Sequence, residues 1–299
     1  MNVLVTGANG FIGKHVVNYL RERDCYVIGL DRTEDSRSSA DEYVFCDLYT
    51  EETGRIFEKI SVDKLDGVVH LAADMRKEPF TVEVIQNNCV GVQRLLELCR
   101  DKGIGVFVQL SSLPVIGSPR TTPIKEDHTL RPPTVYHCTK VLQELLADYA
   151  CYTYGVRTVS YRISAPVGTG MNPKTVLPVF VSKAMAGEDI VLLGQGTRKQ
   201  TFVHVSDIAQ AIYKAVLSER AQGVYNLASN NLVSNRELAE LCVSVVGSAS
   251  RITYSGTPDP ADGMVWDVCL DKIKADTGYE PQVGMEQMIA ELKEYFSRG

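Results

Sequence analysis

Met1-Asn-Val-Leu-Val-Thr-Gly-Ala-Asn-Gly-Phe-Ile-Gly13 is the stretch that decides how this chain is read. Val3, Leu4 and Val5 form a short, mostly β-branched apolar run of the kind found in a buried strand. Gly7, Gly10 and Gly13 follow, and then Val16, Val17 and Leu20 recur at helical spacing. A helix N-terminus presents unpaired N–H groups and the positive end of its dipole. A strand, a glycine turn and a helix can therefore cradle an anionic pyrophosphate, provided that no side chain blocks its approach. The spacing is G-x-x-G-x-x-G rather than G-x-G-x-x-G, so the dinucleotide fingerprint applies here by mechanism alone. A tight turn with close helix packing is the competing reading of the same glycines. The next segment favours the nucleotide: Val27, Ile28, Gly29 and Leu30 form a second apolar run ending in Asp31, whose carboxylate can accept the two hydroxyls of an adenosine ribose.

Working outward, short apolar runs at 3–5, 26–30, 43–45, 67–71 and 106–110 alternate with amphipathic stretches near 13–23, 50–60 and 88–102. Alternation of this kind implies parallel strands joined by right-handed crossovers, hence a doubly wound α/β sheet with ligands at the C-terminal ends of its strands. The polar segment 32–41 reads as a surface loop beyond the second strand. Asp47, after the third strand, can reach an adenine amino group or cap a helix. His70-Leu-Ala-Ala73 ends the fourth strand; its alanines let backbone come close to a cofactor, and His70 reads as a packed, hydrogen-bonded histidine. Asn87 and Asn88 precede a helix that one of them can cap.

Residues 112–135 carry five prolines and no regular element is expected there; they read as the rim of an active site. A helix follows over 134–154, closed by Gly155, and then a strand over 156–163. After Arg162 the texture changes, with a turn-rich exit at 165–170 and a helix over 173–187. Strand-like runs at 202–205 and 224–227, separated by a helix, are expected to return to the main sheet. Ser234-Asn-Arg-Glu237 is a capping box opening another helix, and 285–297 is a final amphipathic one. The expected organisation is a dinucleotide-binding domain over 1–164, rejoined by 202–230, with a substrate lobe built from 165–201 and 231–299.

At 299 residues the chain can bury a large core, and its formal charge of -6 offers no basic footprint for nucleic acid or an anionic membrane. Eight cysteines without a C-x-x-C argue against a zinc site or a disulfide framework, and no metal is expected. Reduced cysteines, the absence of a signal-like segment before the first strand and the lack of a membrane-length apolar run suggest a cytoplasmic protein.

Tyr136 and Lys140 stand four apart on one expected helix, so they share a face. A phenol with an ordinary pKa near 10 is a poor base, but a lysine ammonium and an oxidised nicotinamide beside it would favour the phenolate. Ser112, closing the fifth strand, can hold the substrate oxygen that Tyr136 protonates or deprotonates while hydride leaves or joins the carbon bearing it.

These residues resemble the extended short-chain dehydrogenase/reductases, in particular the NAD-dependent epimerase/dehydratase family typified by UDP-galactose 4-epimerase. The likeness runs through Thr6-Gly-Ala-Asn-Gly-Phe-Ile-Gly13, Asp31, Asp47-Leu48, His70-Leu-Ala-Ala73, Asn88 to Gly91, Ser111-Ser112, Tyr136 with Lys140, Arg162, Gly168, Gly194-Gln-Gly196, Phe202-Val-His-Val-Ser-Asp207, Tyr225-Asn226 and Gly278-Tyr-Glu-Pro281. It implies a Rossmann-type sheet with a smaller α/β C-terminal lobe and a substrate in the cleft between them. It implies Ser112, Tyr136 and Lys140 as catalytic and Asn88 as a structural support near the active site. It also implies a cofactor held by Gly7, Asn9, Gly10, Phe11, Ile12, Gly13, Asp31, Arg32, Asp47, Leu48, Leu71, Ala72, Ala73, Asn88, Tyr136 and Lys140. By the same resemblance the chain is expected to form a homodimer through the helices at 88–102 and 134–154.

Departures from the family pattern narrow the chemistry. The 4,6-dehydratases carry an Asp-Glu pair after the catalytic Ser or Thr, where this chain has Leu113 and Pro114, so dehydration is disfavoured. The cysteine of epimerase-reductases is absent from position 113 as well. What remains is 4-epimerisation of a nucleotide sugar by transient hydride transfer, or an NAD(P)H-dependent ketoreduction of a smaller or less anionic carbonyl compound. Where many relatives hold a diphosphate with arginine, Gln200 stands, preceded by Arg198; the usual asparagine after Arg162 is Ala165. Ser112, Ala165, Arg198 and Gln200 are therefore the expected substrate contacts. Trp266 can stack on a base or simply pack. Asp31 would repel a 2′-phosphate and favours NAD, whereas Arg32 leaves NADP as the alternative.

Overall fold

A computed structural model describes residues 1–49, 55–75 and 82–298. The N-terminal part runs β1 (Asn2–Thr6), α1 (Phe11–Arg21), β2 (Tyr26–Asp31), β3 (Glu42–Phe45), α2 (Ile56–Lys59), β4 (Gly67–His70), α3 (Val82–Ile85), α4 (Gly91–Lys102), β5 (Val106–Ser112), α5 (Val135–Tyr154) and β6 (Arg157–Ile163). It continues with β7 (Ala165–Val167), α6 (Val176–Ala186), β8 (Ile190–Leu192), β9 (Lys199–Gln200), β10 (Phe202–His204), α7 (Val205–Leu217) and β11 (Gly223–Leu227). Last come β12 (Val233–Ser234), α8 (Asn235–Val246), β13 (Ile252–Tyr254), β14 (Val265–Trp266), α9 (Asp271–Thr277) and α10 (Met285–Ser297).

The main sheet has seven strands in the order β11-β6-β5-β4-β1-β2-β3, paired in parallel throughout. Its centre explains the unbroken apolar run of β1, because a parallel strand covered on both faces needs apolar residues on each. Val3 and Val5 face one core with Val16, Val17 and Leu20 of α1 and Ile208 and Ile212 of α7. Leu4 faces the other, with Leu95 and Leu96 of α4. β2 and β3 lie on one side of β1 and β4 and β5 on the other, and the point where the strand order reverses opens a crevice beyond the strands' C-terminal ends.

The two strands expected to rejoin the sheet part company. β11 forms its outer edge beside β6, whereas β10 pairs with β7 in a separate two-stranded parallel unit. β7 follows β6 after a single residue, Ser164, and β10 is only three residues long, so its ladder is taken up by this short extension beside the cleft. A third core, with Leu177 and Val181 of α6, Leu238 of α8 and Met288 and Leu292 of α10, lies under the short sheets of the C-terminal part. The capping box is present: Glu237 N–H donates to Ser234 Oγ (3.1 Å) and Ser234 N–H to Glu237 Oε2 (2.7 Å). The proline-rich segment contains one short 3₁₀ turn, Leu113–Ile116, and a bridge from Ile124 to Val268. Of the helix expected near 50–60, residues 50–54 lie outside the described residues. No helix among the described residues is long and apolar enough to cross a membrane.

Candidate active site

The crevice at the switch point is a cleft of about 770 Å³. At its first end lies the glycine turn. Gly7 has φ +69°, and a Cβ there would stand 2.7 Å from Ala72 N; a Cβ on Gly13 would stand 2.0 Å from Gly7 O. The tight-turn reading therefore holds for Gly7 and Gly13. The same turn leaves the start of α1 open to the cleft: Gly10 is its N-cap and supplies no side-chain cap, while Gly7, Gly10, Phe11, Ile12 and Gly13 all line the cleft. Asp31 ends β2 at the same mouth. Its carboxylate accepts the N–H of Asn9 (3.1 Å) and of Arg32 (2.8 Å), which fixes its direction.

Asn9 itself does not line the cleft. Its amide reaches Thr33 Oγ1 (2.6 Å), Asp35 O (3.0 Å) and Tyr43 Oη (3.0 Å), and its Oδ1 accepts Arg37 N–H (2.7 Å). The side chain ties down the loop after β2. Arg32, Asp47, Leu48, Leu71, Ala72 and Ala73 line the cleft as expected. Asp47 Oδ1 also accepts the N–H of Tyr49 (3.0 Å) in a local turn.

Thr6, not anticipated from the sequence, organises the end of β4. Its hydroxyl accepts N–H groups of Leu71 and Ala72 (3.3 Å each) and lies 2.8 Å from His70 Nδ1. With both lone pairs engaged the hydroxyl donates to Nδ1, so the neutral ring carries its proton on Nε2. Burial, reinforced by the Lys140 charge, pushes the His70 pKa down to about 3. It is the packed histidine that its context suggested, stacked on Phe107.

Asn88 caps nothing. It sits in a single π-helical turn, Gln86–Val90, that runs directly into α4. Its Oδ1 accepts Asp74 N–H (2.7 Å), and its Nδ2 donates to Asp74 O and Thr139 Oγ1 (3.0 Å each). Thr139 in turn donates to the carbonyl of Tyr136 (2.7 Å), so the start of α5 is moored to the exit of β4.

Ser112, Tyr136 and Lys140 line one wall of the cleft. Lys140 is 3 % exposed; its Nζ donates to Leu110 O (2.8 Å) and Gln143 Oε1 (3.0 Å) and stands 5.7 Å from the Tyr136 ring centroid. Burial lowers its pKa to about 8. Burial also raises the Tyr136 phenol to about 12. The ammonium bonds a carbonyl and an amide, not the phenol, so desolvation of the phenolate prevails.

Behind this wall a buried ion pair braces α5 against the sheet. Arg162 Nε and Nη2 donate to Glu144 Oε1 (2.9 Å) and Oε2 (2.7 Å), and Ser111 Oγ donates to the same Oε1 (2.5 Å). Arg162 Nη1 bonds Glu126 O (2.8 Å), whose carboxylate accepts Asn226 N–H (3.0 Å), linking the proline-rich rim to β6 and β11.

The far end of the cleft brings Ala165, Arg198 and Gln200 together with Ser164, Thr201 and Trp266. β9 and β14 pair in parallel, setting Gln200 beside Trp266. Trp266 packs against the cluster of Leu113 and Ile116 and also lines the cleft. Ser164 Oγ, Arg198 Nε, Thr201 Oγ1 and Trp266 Nε1 are buried without a hydrogen-bond partner among the described residues, a polar set facing one cavity. Ser164 and Thr201 adjoin positions already singled out, and that adjacency was the only signal for them.

Comparison with known proteins fits this geometry. A family model described as the NAD dependent epimerase/dehydratase family matches residues 3–228. The chain is 31% identical over 310 residues to a dTDP-4-dehydro-6-deoxy-D-allose reductase of Streptomyces bikiniensis, covering 95% of this chain and 94% of the relative. It is 28% identical over 311 residues to a dTDP-glucose 4,6-dehydratase of Streptomyces niveus, covering 99% and 93%. The structure of a UDP-glucose 4-epimerase with UDP-glucose from Thermotoga maritima superposes with a TM-score of 0.87 at 25% identity, over 100% of this chain and 99% of that one. The chain belongs to the NAD dependent epimerase/dehydratase family.

Proposed function

We propose that the protein inverts a hydroxyl-bearing carbon of a nucleotide sugar, most simply C4, by transient hydride transfer. The observation that carries this reading is the convergence of Ser112, Tyr136 and Lys140 on the same cleft as the uncapped start of α1 and the carboxylate of Asp31. The residues present fit NAD: the amides at the start of α1 suit its pyrophosphate, Asp31 its adenosine ribose and Lys140 its nicotinamide ribose. When bound, NAD supplies the acceptor and donor of hydride. Ser112 holds the reacting oxygen, and Tyr136 takes its proton during oxidation and returns it during reduction. Lys140 stays charged below about pH 8 and favours the phenolate at that moment. Because the proton and the hydride are both returned, the cycle balances without a further reductant.

Elimination of water needs an acid and a base next to the reacting carbons. At the positions after Ser112 stand Leu113, which is buried, and Pro114, so dehydration is not the activity we assign. Arg198, with its unpartnered Nε at the far end of the cleft, is the residue we assign to the substrate's phosphates. Leu142, Leu145, Tyr149 and Tyr152 expose apolar surface along α5, and we assign that face to a second copy of the chain.

One-way ketoreduction is the second reading. It is favoured by Gln200 and Ala165 standing in the cleft where a diphosphate would call for arginine and asparagine, and by the 31% identical reductase. Cofactor retention separates the two. An epimerase purifies with bound NAD and interconverts sugars without added cofactor; a reductase consumes added NADH or NADPH in proportion to product. Failure of every UDP-, dTDP-, GDP- and CDP-sugar to raise the melting temperature or to react would overturn the nucleotide-sugar assignment and favour ketoreduction of a smaller or less anionic carbonyl compound.

A further inference from the structure

We propose that Gln143 is a positioning residue that fixes the Lys140 ammonium from the sheet side of α5. Three residues beyond Lys140, it lies on the same helical face and is 1 % exposed. Each of its polar groups is engaged. Oε1 accepts from Lys140 Nζ (3.0 Å), Nε2 donates to the backbone carbonyl of Asn88 (2.7 Å), and its own carbonyl accepts from Gln109 Nε2 (2.9 Å). Gln109 Nε2 also donates to Ser160 Oγ (2.9 Å), so the main chain of Gln143 is tied to β5 and β6 while its side-chain amide is held by the π turn.

An ammonium has three N–H groups. Two of those of Lys140 are directed inward, to Leu110 O and Gln143 Oε1, leaving one for the cleft that Lys140 lines. A carbonyl and an amide neither take nor give a proton near neutral pH. The inner side of Lys140 is thereby closed to proton traffic, and the residue serves as a fixed charge. The other groups facing it are the Tyr136 ring, Cys89 of the π turn, His70 of β4, and His137 and Glu144 of its own helix. Glu144 is committed to Arg162 and Ser111, and His70 is held neutral. Gln143 is thus the side chain that sets the direction of the charge.

The consequence for turnover rests on the role given to Lys140 above, but the effect on the ammonium does not, so the test reads the ammonium itself. In lysine-labelled protein the Cε resonance of Lys140, assigned with Lys140→Arg, is titrated in wild type, Gln143→Met and Gln143→Glu. Methionine keeps the length and removes the acceptor, and the Lys140 titration should fall by about one pH unit. Glutamate places a carboxylate beside the ammonium, and the titration should rise. NAD affinity should weaken in Gln143→Met. An unmoved titration in a folded Gln143→Met protein overturns the proposal; if that variant does not fold, an unmoved titration in Gln143→Glu does the same. A lowered titration in Gln143→Met with turnover unchanged between the variant's and the wild-type titration points upholds the positioning and overturns instead the catalytic role of Lys140.

Discussion

Lowering the pH should destabilise this protein through His70, and the size of the effect can be worked out from the surroundings of its ring. The folded chain keeps the imidazole neutral down to about pH 3, because the ring is buried and its Nδ1 is occupied by the Thr6 hydroxyl. The unfolded chain binds a proton below 6.5. Protons therefore favour the unfolded state as pH falls through 6.5, and the loss grows by about 1.4 kcal/mol per pH unit until the folded ring also titrates. At pH 5 the accumulated cost is about 2 kcal/mol, and it hardly depends on where below pH 4 the folded value lies. His70→Asn keeps an acceptor near the Nδ1 position and removes the titration. Urea unfolding of both proteins at pH 7.5, 6.5, 5.5 and 5.0 isolates the term, since all other groups titrate alike in both. The gap between wild type and variant should change by about 2 kcal/mol across that range, in the variant's favour at low pH. A gap that stays constant would refute the buried, neutral His70.

Glu144→Ala should cost about 3–5 kcal/mol in the same assay at neutral pH, because Arg162 would be left charged, unpaired and 5% exposed; a loss below about 1 kcal/mol would mean that solvent reaches the pair. Asp31→Ala should weaken NAD about tenfold relative to NADP, as measured by calorimetric titration, since it removes the carboxylate held toward the ribose end of the cleft. An unchanged preference would displace Asp31 from the ribose.

The sheet was legible because its signals are local. The apolar run of β1, the glycine turn and the spacing of Tyr136 and Lys140 each lie within a few residues, and a parallel sheet covered on both faces leaves little ambiguity about what such runs form. What escaped the sequence depends on partners far along the chain. Asn9 looked like part of the cradle, yet its side chain is claimed by a loop some twenty-five residues later. Either Asn87 or Asn88 could have capped the next helix, but the backbone of Asp74 and the hydroxyl of Thr139 take the Asn88 amide. β10 is three residues long and can satisfy its ladder on any short neighbour, so nothing in its composition distinguishes β7 from the main sheet. Spacing put Lys140 on the same helical face as Tyr136, but which groups the ammonium bonds is a matter of packing that spacing does not encode.

The central claim is that Tyr136 moves the proton of a sugar hydroxyl beside a retained NAD. Its most direct test is to follow UDP- and dTDP-hexoses by NMR with wild type and Tyr136→Phe, with no cofactor added. Wild type should interconvert C4 epimers, and the variant should bind NAD with similar affinity while turning over about 10²–10⁴-fold more slowly. A Tyr136→Phe protein that inverts the sugar at near wild-type rate would contradict the account.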